Sequence, residues 1–431
     1  MISNYCIVLE HKERPGRSIL FSAKRASSVI VPTDMAASIK EGFVPEENRQ
    51  ALYDLKMIID GAEEEKGEMK GFIERFNKES DKWGALLVLT LDCNLSCKYC
   101  FEDYGGSQKG DFYMTKETAE EFIFFAVERS RHKKQLSVTF YGGEPLLCMD
   151  MIEYVSANLR HYAEASGKDC SFSVITNGSL LTERNVGKLV SLGVKSAKVT
   201  LDGPPETHNH YRPFRNGGGS FDSIVRGIEH ASNFMQIQIG GNYTESSWRK
   251  FPELLDYMIG EGLTGDKVSV RFSPVLGEGK TPGLSDFNEG CLTANEEWAI
   301  GAGMSLREEV LKRGYRMLPV RPSLCVIESD DVFTVNYNGD LYKCPGMLGI
   351  DGFSIGSLTS GIRDYRQMYD MENWKNGECL SCSYLPLCFG GCRYAGYLRN
   401  GKISGVDCRK VYYDKALAEL VNQDIKYRLY R

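Results

Sequence analysis

Apolar positions follow three different rhythms along this chain. In residues 1–84, short alternating runs at 4–10, 18–22 and 28–32 predict strands, and Arg14-Pro15-Gly16 supplies a turn between the first two. Helical stretches are predicted over 34–41, 45–59 and 64–81. The last is rich in charge, the usual sign of a solvated helix face. These 84 residues read as a separate small domain. From 85 to 285, strands are predicted at 85–91, 136–140, 171–175, 196–201, 236–239 and 268–272. Helical patterns such as 116–131, 149–165 and 181–192 lie between most of them. Strand–helix alternation predicts an α/β domain with a parallel sheet and right-handed crossovers. Six such units are too few for a closed eight-unit barrel. Residues 286–324 form a bridge with one helix near 294–313, and residues 325–431 end in a helix near 412–427.

The length of 431 residues and 42% apolar content leave room for roughly two to four domains. A net charge of −6, with no basic stripe interleaved by aromatics, argues against nucleic acid as a partner. No apolar run is long enough for a membrane span, and the first residues lack the pattern of a secretory signal. Fourteen cysteines without an export signal point to metal ligands rather than disulfides. The expected setting is a cytoplasm poor in oxygen.

Three of those cysteines, Cys93, Cys97 and Cys100, stand at C-x3-C-x2-C spacing just after the first strand of the α/β region. Parallel α/β architectures place their chemistry at that end of a strand. A cubane iron–sulfur cluster has four irons, so three thiolates leave one iron open. A zinc site, or a cluster completed by a distant fourth cysteine, uses the same residues differently. The surrounding segments sharpen the picture. Tyr99 precedes the third cysteine, and Gly142-Gly143-Glu144-Pro145 follows a predicted strand. Val174-Ile-Thr-Asn-Gly178 and Lys198-Val-Thr-Leu-Asp202-Gly-Pro204 come next in order.

Together these segments resemble the radical S-adenosylmethionine (radical SAM) superfamily. The resemblance implies an open, partial (β/α)6 barrel. It also implies a [4Fe–4S] cluster whose open iron is chelated by the amino and carboxylate groups of S-adenosylmethionine. An electron from the cluster then cleaves the C5′–S bond, and the 5′-deoxyadenosyl radical removes hydrogen from an unactivated carbon. By the same resemblance, Gly142, Gly143 and Glu144 meet the methionyl amino group. Glycines let backbone approach closely, and a carboxylate accepts from an ammonium. Thr176 and Asn177 match ribose- and carboxylate-contacting positions, and Tyr99 covers the adenine. Asp202 and Arg212 lie in a segment common among maturases and are assigned to the cofactor site, although an Asp at a strand end also serves as a cap. His208 and His210 are read as structural.

Seven more cysteines lie in the last quarter: Cys325, Cys344, Cys379, Cys382, Cys388, Cys392 and Cys408. A zinc ribbon would use only four of them. Gly339, in the turn sequence 336–340, needs a positive φ, and a hairpin there would bring Cys325 and Cys344 together. The pattern resembles the SPASM extension of radical SAM peptide and protein maturases. The resemblance implies auxiliary cluster I on Cys325, Cys344 and Cys392, and cluster II on Cys379, Cys382, Cys388 and Cys408, for three [4Fe–4S] clusters in all. Cluster I then lacks one protein ligand. Either Cys291 reaches in, or an open iron awaits a substrate thiolate; the distance of Cys291 along the chain favours the open iron. Cys6, Cys148 and Cys170 have no partners at ligand spacing and read as small apolar residues.

The function implied is maturation of a ribosomally made peptide by hydrogen abstraction and crosslinking. Residues 1–84 resemble the winged-helix-like leader-recognition domain of such maturases, which adds an extended leader to a sheet edge; a plain structural cap is the alternative. A thioether, as in sactipeptide and ranthipeptide synthases, is favoured over a carbon–carbon bond. An anaerobic sulfatase maturase that makes formylglycine is a second enzyme reading. A multi-cluster electron-transfer protein is the non-enzyme reading. The partners expected are a precursor peptide with its leader and a flavodoxin- or ferredoxin-like electron donor.

Overall fold

The computed structural model describes residues 1–100, 112–277 and 287–428. Strands β1 (Cys6–Glu10), β2 (Arg17–Ser22) and β3 (Ser27–Pro32) form an antiparallel meander with β2 in the middle. Helices α1 (Thr33–Lys40), α2 (Glu46–Asp54), α3 (Ala62–Lys70) and α4 (Phe72–Glu79) follow. Two of the predicted helices are shortened. The one expected over 45–59 stops at Asp54, because Lys56 adopts φ 56° and Ile58 turns back to bridge Ile2. The one expected over 64–81 divides at Gly71, a residue with low helix propensity.

β2 is apolar on both faces because both are covered. Leu20 faces Val31, Ile39 and Leu52 of its own module. Ile19 and Phe21 face Trp374, Leu387 and Leu417 near the C-terminus. The N-terminal meander therefore shares a core with residues more than 350 positions away in sequence.

The main sheet begins with β4 (Lys82–Thr90), followed by α5 (Lys116–Ser130), β5 (Gln135–Gly142), α6 (Met149–Ser166) and β6 (Asp169–Thr176). It continues through α7 (Glu183–Ser191), β7 (Val194–Thr200), α8 (Pro205–Tyr211), α9 (Phe221–Ala231), β8 (Gln236–Tyr243), α10 (Phe251–Gly260) and β9 (Val268–Pro274). β4 to β9 lie parallel in chain order, as the alternating pattern predicts. Thr115 and Thr182 cap α5 and α7 by accepting an N–H from the first turn, which fixes where those helices start.

After α11 (Glu297–Lys312) the chain returns to the same sheet. β10 (Val332–Val335) and β11 (Leu341–Tyr342) form the expected hairpin, with Gly339 at φ 86° and its N–H donating to Asn336 O at 2.9 Å. β10 lies parallel to β4, Val332 opposite Gly84 and Val335 opposite Leu87. The sheet is thus eight-stranded and mixed, in the order β11-β10-β4-β5-β6-β7-β8-β9. Phe333 on β10 sits 6.5 Å from Trp83 and 5.4 Å from Phe125, centroid to centroid. β10 covers the edge that β4 would otherwise expose, and the aromatic group packs beside that pairing.

The remaining elements are short: β12 (Gly356–Ser357), β13 (Gly361–Ile362), α12 (Gly377–Leu380), α13 (Leu385–Cys388) and α14 (Arg393–Asn400). The last helix, α15 (Lys410–Arg428), runs along α11 and reaches β1, where Asn422 Nδ2 donates to Glu10 O at 3.0 Å. Among the described residues, no helix is long and apolar enough to cross a membrane. All fourteen cysteines are unbridged.

Candidate active site

Cys93, Cys97 and Cys100 occupy the loop leaving β4, at the C-terminal edge of the parallel sheet. Backbone bonds pin this loop to the segment after α8: Ser96 N to Pro213 O at 2.9 Å and Lys98 N to Tyr211 O at 3.0 Å. The Cys93 thiol accepts from Leu95 N at 3.4 Å, and Asn177 Nδ2 lies 3.6 Å away. Burial pushes the Cys93 thiol up to about 11, and the neighbouring Cys97 adds to the shift. Thiolates in one loop, one of them in the field of the Arg212 guanidinium, are the donor set that a metal cluster uses.

Gly142 and Gly143 are placed where no side chain fits. Gly142 has φ 134°, and a Cβ there would overlap Thr90 O. A Cβ on Gly143 would lie 2.7 Å from both Leu91 O and Asp92 C. The loop is held against β4 by Gly143 N to Thr90 O at 2.9 Å and Glu144 N to Asp92 O at 2.8 Å. Glu144 itself points inward with no exposed surface. Its carboxylate accepts from Leu146 N at 2.9 Å, Thr176 Oγ1 at 2.7 Å and Asn177 N at 2.7 Å. Burial raises its pKa to about 6 against those three hydrogen bonds. The carboxylate forms a buried clasp between β5 and β6. Thr176 and Asn177 belong to the same clasp, and Asn177 Nδ2 also donates to Asn94 Oδ1 at 2.8 Å. They tie the cysteine loop to the strand ends and are almost fully buried.

Tyr99, Asp202 and Arg212 converge. The Tyr99 hydroxyl donates to Asp202 Oδ2 and accepts from Arg212 Nη1 at 2.9 Å and Asn242 Nδ2 at 3.1 Å. Its ring lies near Tyr211 and Phe287, so the phenol is anchored in the barrel wall. Asp202 Oδ1 accepts from Asn242 N at 2.7 Å. Burial raises the Asp202 carboxyl, while Arg212 opposes the shift. His208 accepts Asp202 N–H at Nδ1 (3.2 Å) and meets Ser220 Oγ at 3.0 Å through Nε2, and burial keeps it neutral. That agrees with the structural role read for it, and His210 lies beside Lys98 Nζ at the surface. Asn94 and Asn242 were not legible as site residues, since nothing in the sequence marks either one.

The C-terminal thiols fall into two groups. Cys325, Cys344 and Cys392 lie in one another's electrostatic field, and burial pushes the Cys344 thiol up to about 12. Cys379 feels Cys382 and Cys408, and Cys388 also feels Cys408. Cys291 is buried, its backbone paired with Val275 and Gly277 beside β9. Among the described residues, no three His, Cys, Asp or Glu side chains converge closely enough to grip a single ion.

The first group suits an iron–sulfur cluster and a carboxylate-bearing ligand. Three thiols supply the donors. Arg212 is buried, its charge is felt at Cys97, and its Nε has no hydrogen-bond partner. A buried N–H without an acceptor is rare in folded proteins, and this one is available to an anionic group.

Residues 87–244 match the sequence profile described as Radical SAM superfamily. The chain belongs to that superfamily, whose members use a [4Fe–4S] cluster and S-adenosylmethionine, and its relatives include enzymes named as maturases. It is 30% identical over 365 residues to the radical SAM cyclopropyl synthase TigE of Paramaledivibacter caminithermalis, covering 78% of this chain and 71% of TigE. Two solved structures share the fold. anSMEcpe with bound AdoMet and Cp18Cys peptide has a TM-score of 0.61 at 21% identity, covering 80% of this chain and 97% of its own. Streptococcus suis SuiB bound to precursor peptide SuiA has a TM-score of 0.55 at 15% identity, covering 95% and 99%.

Proposed function

We propose that this enzyme crosslinks a ribosomally made peptide, with residues 1–84 holding the leader, 85–285 the radical site, 286–324 a bridge and 325–431 two further clusters. Cys93, Cys97 and Cys100 would hold the first cluster, with Arg212 and the Gly142–Gly143 backbone facing S-adenosylmethionine. When bound there, cluster and cofactor supply a hydrogen-abstracting radical. The residues of the chain orient and shield it. Tyr99, Asp202 and Asn242 fix the guanidinium of Arg212, and the Glu144 clasp holds the cysteine loop at the strand ends. Because that carboxylate is buried, contact with the methionyl amino group falls to other atoms of the loop. Asp202 and Thr176 would act by positioning rather than by touching the cofactor.

The observation that carries the crosslinking reading is the grouping of Cys325, Cys344 and Cys392 as three thiols. A cubane on that set would keep one iron for a substrate thiolate, which favours a thioether. The leader reading draws on β3, which pairs only with β2 among the described residues and so leaves an edge for strand addition. It draws also on the likeness to SuiB, which extends over more of the chain than that to anSMEcpe. A one-electron donor of the flavodoxin or ferredoxin type, in a reducing cytoplasm, completes the scheme.

Carbon–carbon bond formation is the second reading, favoured by the relative named as a cyclopropyl synthase. Co-expression with a cysteine-containing precursor peptide from the neighbouring genes separates the two. A product lighter by two hydrogens that has also lost one alkylatable thiol indicates a thioether. The same mass change with every thiol still alkylatable refutes it. No 5′-deoxyadenosine from enzyme, reductant and S-adenosylmethionine removes both readings.

A further inference from the structure

Among the described residues, the buried arginine nitrogens without a hydrogen-bond partner are the Nε atoms of Arg212, Arg393 and Arg409. Their distribution follows the thiols. Arg212 acts on Cys97 in the first group. Arg393 follows Cys392 in sequence and acts on Cys325. Arg409 follows Cys408 and acts on Cys388 and Cys392.

The other nitrogens of Arg393 are occupied. Nη1 donates to Phe389 O at 3.1 Å and to Gly391 O at 3.3 Å, and Nη2 pairs with the fully buried Glu328. The Arg393 side chain is only 1% exposed. Its Nε therefore cannot turn to water, and an unmet donor in such a site costs about 1–3 kcal/mol. Arg409 is more exposed at its tip, and its Nε stands 3.6 Å from Asp407 Oδ2, beyond hydrogen-bond reach. Asp407 is already engaged by Arg399 Nη2 at 2.7 Å and by Cys392 N at 3.1 Å. Neither nitrogen has a protein acceptor. Arg393 lies by the Cys325–Cys344–Cys392 group, and Arg409 lies between that group and Cys388, which accepts its backbone N–H.

We propose that Arg393 and Arg409 are outer hydrogen-bond donors to the cluster on Cys325, Cys344 and Cys392, one on its Cys325 side and one on its Cys392 side. This rests on the reading of residues 325–431 as a cluster-bearing region. Both are positioning residues that tune the cluster and take no part in bond making. Donors aimed at cluster or cysteinyl sulfur stabilise the more negative, reduced state and raise the reduction potential. Arg393 is neutralised by Glu328, so its contribution is the N–H itself. Arg409 adds net charge, screened by its partial exposure.

The test uses full-length protein with Cys93, Cys97 and Cys100 replaced by alanine, so that only C-terminal iron is observed. Iron content, electron paramagnetic resonance and reductive titration are compared for this parent, Arg409→Gln and Arg409→Lys. The Gln variant should keep its iron and lower the reduced-to-oxidised ratio of one cluster at least tenfold at fixed potential, 59 mV for a one-electron couple. The Lys variant should fall between. Glu328→Gln combined with Arg393→Gln removes the second donor without stranding a charge, and should shift the same signal. Retained iron with unchanged spectra and titration in both Arg409 variants overturns the proposal. So does an equal loss of iron in both with no shift in what remains, since that is a structural role. A parent without C-terminal iron removes the cluster reading itself, which is a separate failure.

Discussion

Replacing Gly143 with alanine tests how tightly the cysteine loop is clamped. The new Cβ would lie 2.7 Å from Leu91 O and Asp92 C, both backbone atoms that cannot rotate aside. Ordinary contact needs a displacement of about 1 Å, since carbon pairs settle near 3.5–4.0 Å. Overpacking of this kind costs about 1–3 kcal/mol. The same displacement weakens the bonds from Gly143 N to Thr90 O and from Glu144 N to Asp92 O, each worth about 1 kcal/mol. The sum, roughly 3–5 kcal/mol, is below the stability of an ordinary domain, so the chain folds and the loop moves. Asp92 precedes Cys93, so the movement falls on the first ligand position. Anaerobic reconstitution should show loss of the iron bound by the N-terminal group and at least a tenfold drop in 5′-deoxyadenosine release, with far-UV circular dichroism unchanged. Gly187→Ala is the control: it lies in α7, a methyl added there meets nothing within 4 Å, and the change should be neutral or slightly stabilising. A Gly143→Ala enzyme with full iron and full cofactor cleavage would falsify the close approach.

Two other substitutions probe the buried charges. Burial raises Glu144 from 4.5 to about 6, so its stabilising contribution is full below pH 4.5 and is lost as pH rises through 6. Glu144→Gln cannot titrate, so the stability gap between parent and variant should narrow by about 1 kcal/mol from pH 5 to pH 7.5 in anaerobic denaturant titrations; a gap that widens contradicts the assignment. Glu328→Gln strands the Arg393 guanidinium in a site with 1% exposure and should destabilise the C-terminal region by about 3–5 kcal/mol. Hydrogen exchange over residues 389–400 reads this directly, and unchanged protection there excludes a stabilising pair.

Local chemistry explains what could be foretold. The six parallel strands were legible because buried strands carry continuous apolar runs separated by helical periodicity. The hairpin at Gly339 was legible because its turn demands a positive φ. Long-range pairing was not. Nothing in Val332–Val335 says that it lies beside Gly84–Leu87, a pairing across about 250 residues beside which Trp83, Phe125 and Phe333 meet only in the folded chain. Side-chain direction was also hidden. Glu144 was legible as part of the site, but its inward turn depends on donors from Leu146, Thr176 and Asn177 that only the folded strand ends bring together. The grouping of the cysteines was given by a resemblance and not by spacing, since Cys392 stands four residues after Cys388 yet lies in the field of Cys325 and Cys344; the orphaned arginine nitrogens beside them emerge only once the chain is folded.

The pairing of β10 with β4 bears on how such enzymes can be rebuilt. A designer wishing to trade one C-terminal cysteine module for another cannot cut at residue 325 as if at a linker. The transplant would carry a strand woven into the recipient's sheet, and would succeed only if the newcomer presents an aromatic where Phe333 meets Trp83. Successful chimeras should therefore come from donors and recipients matched along that seam, however well their cysteines align.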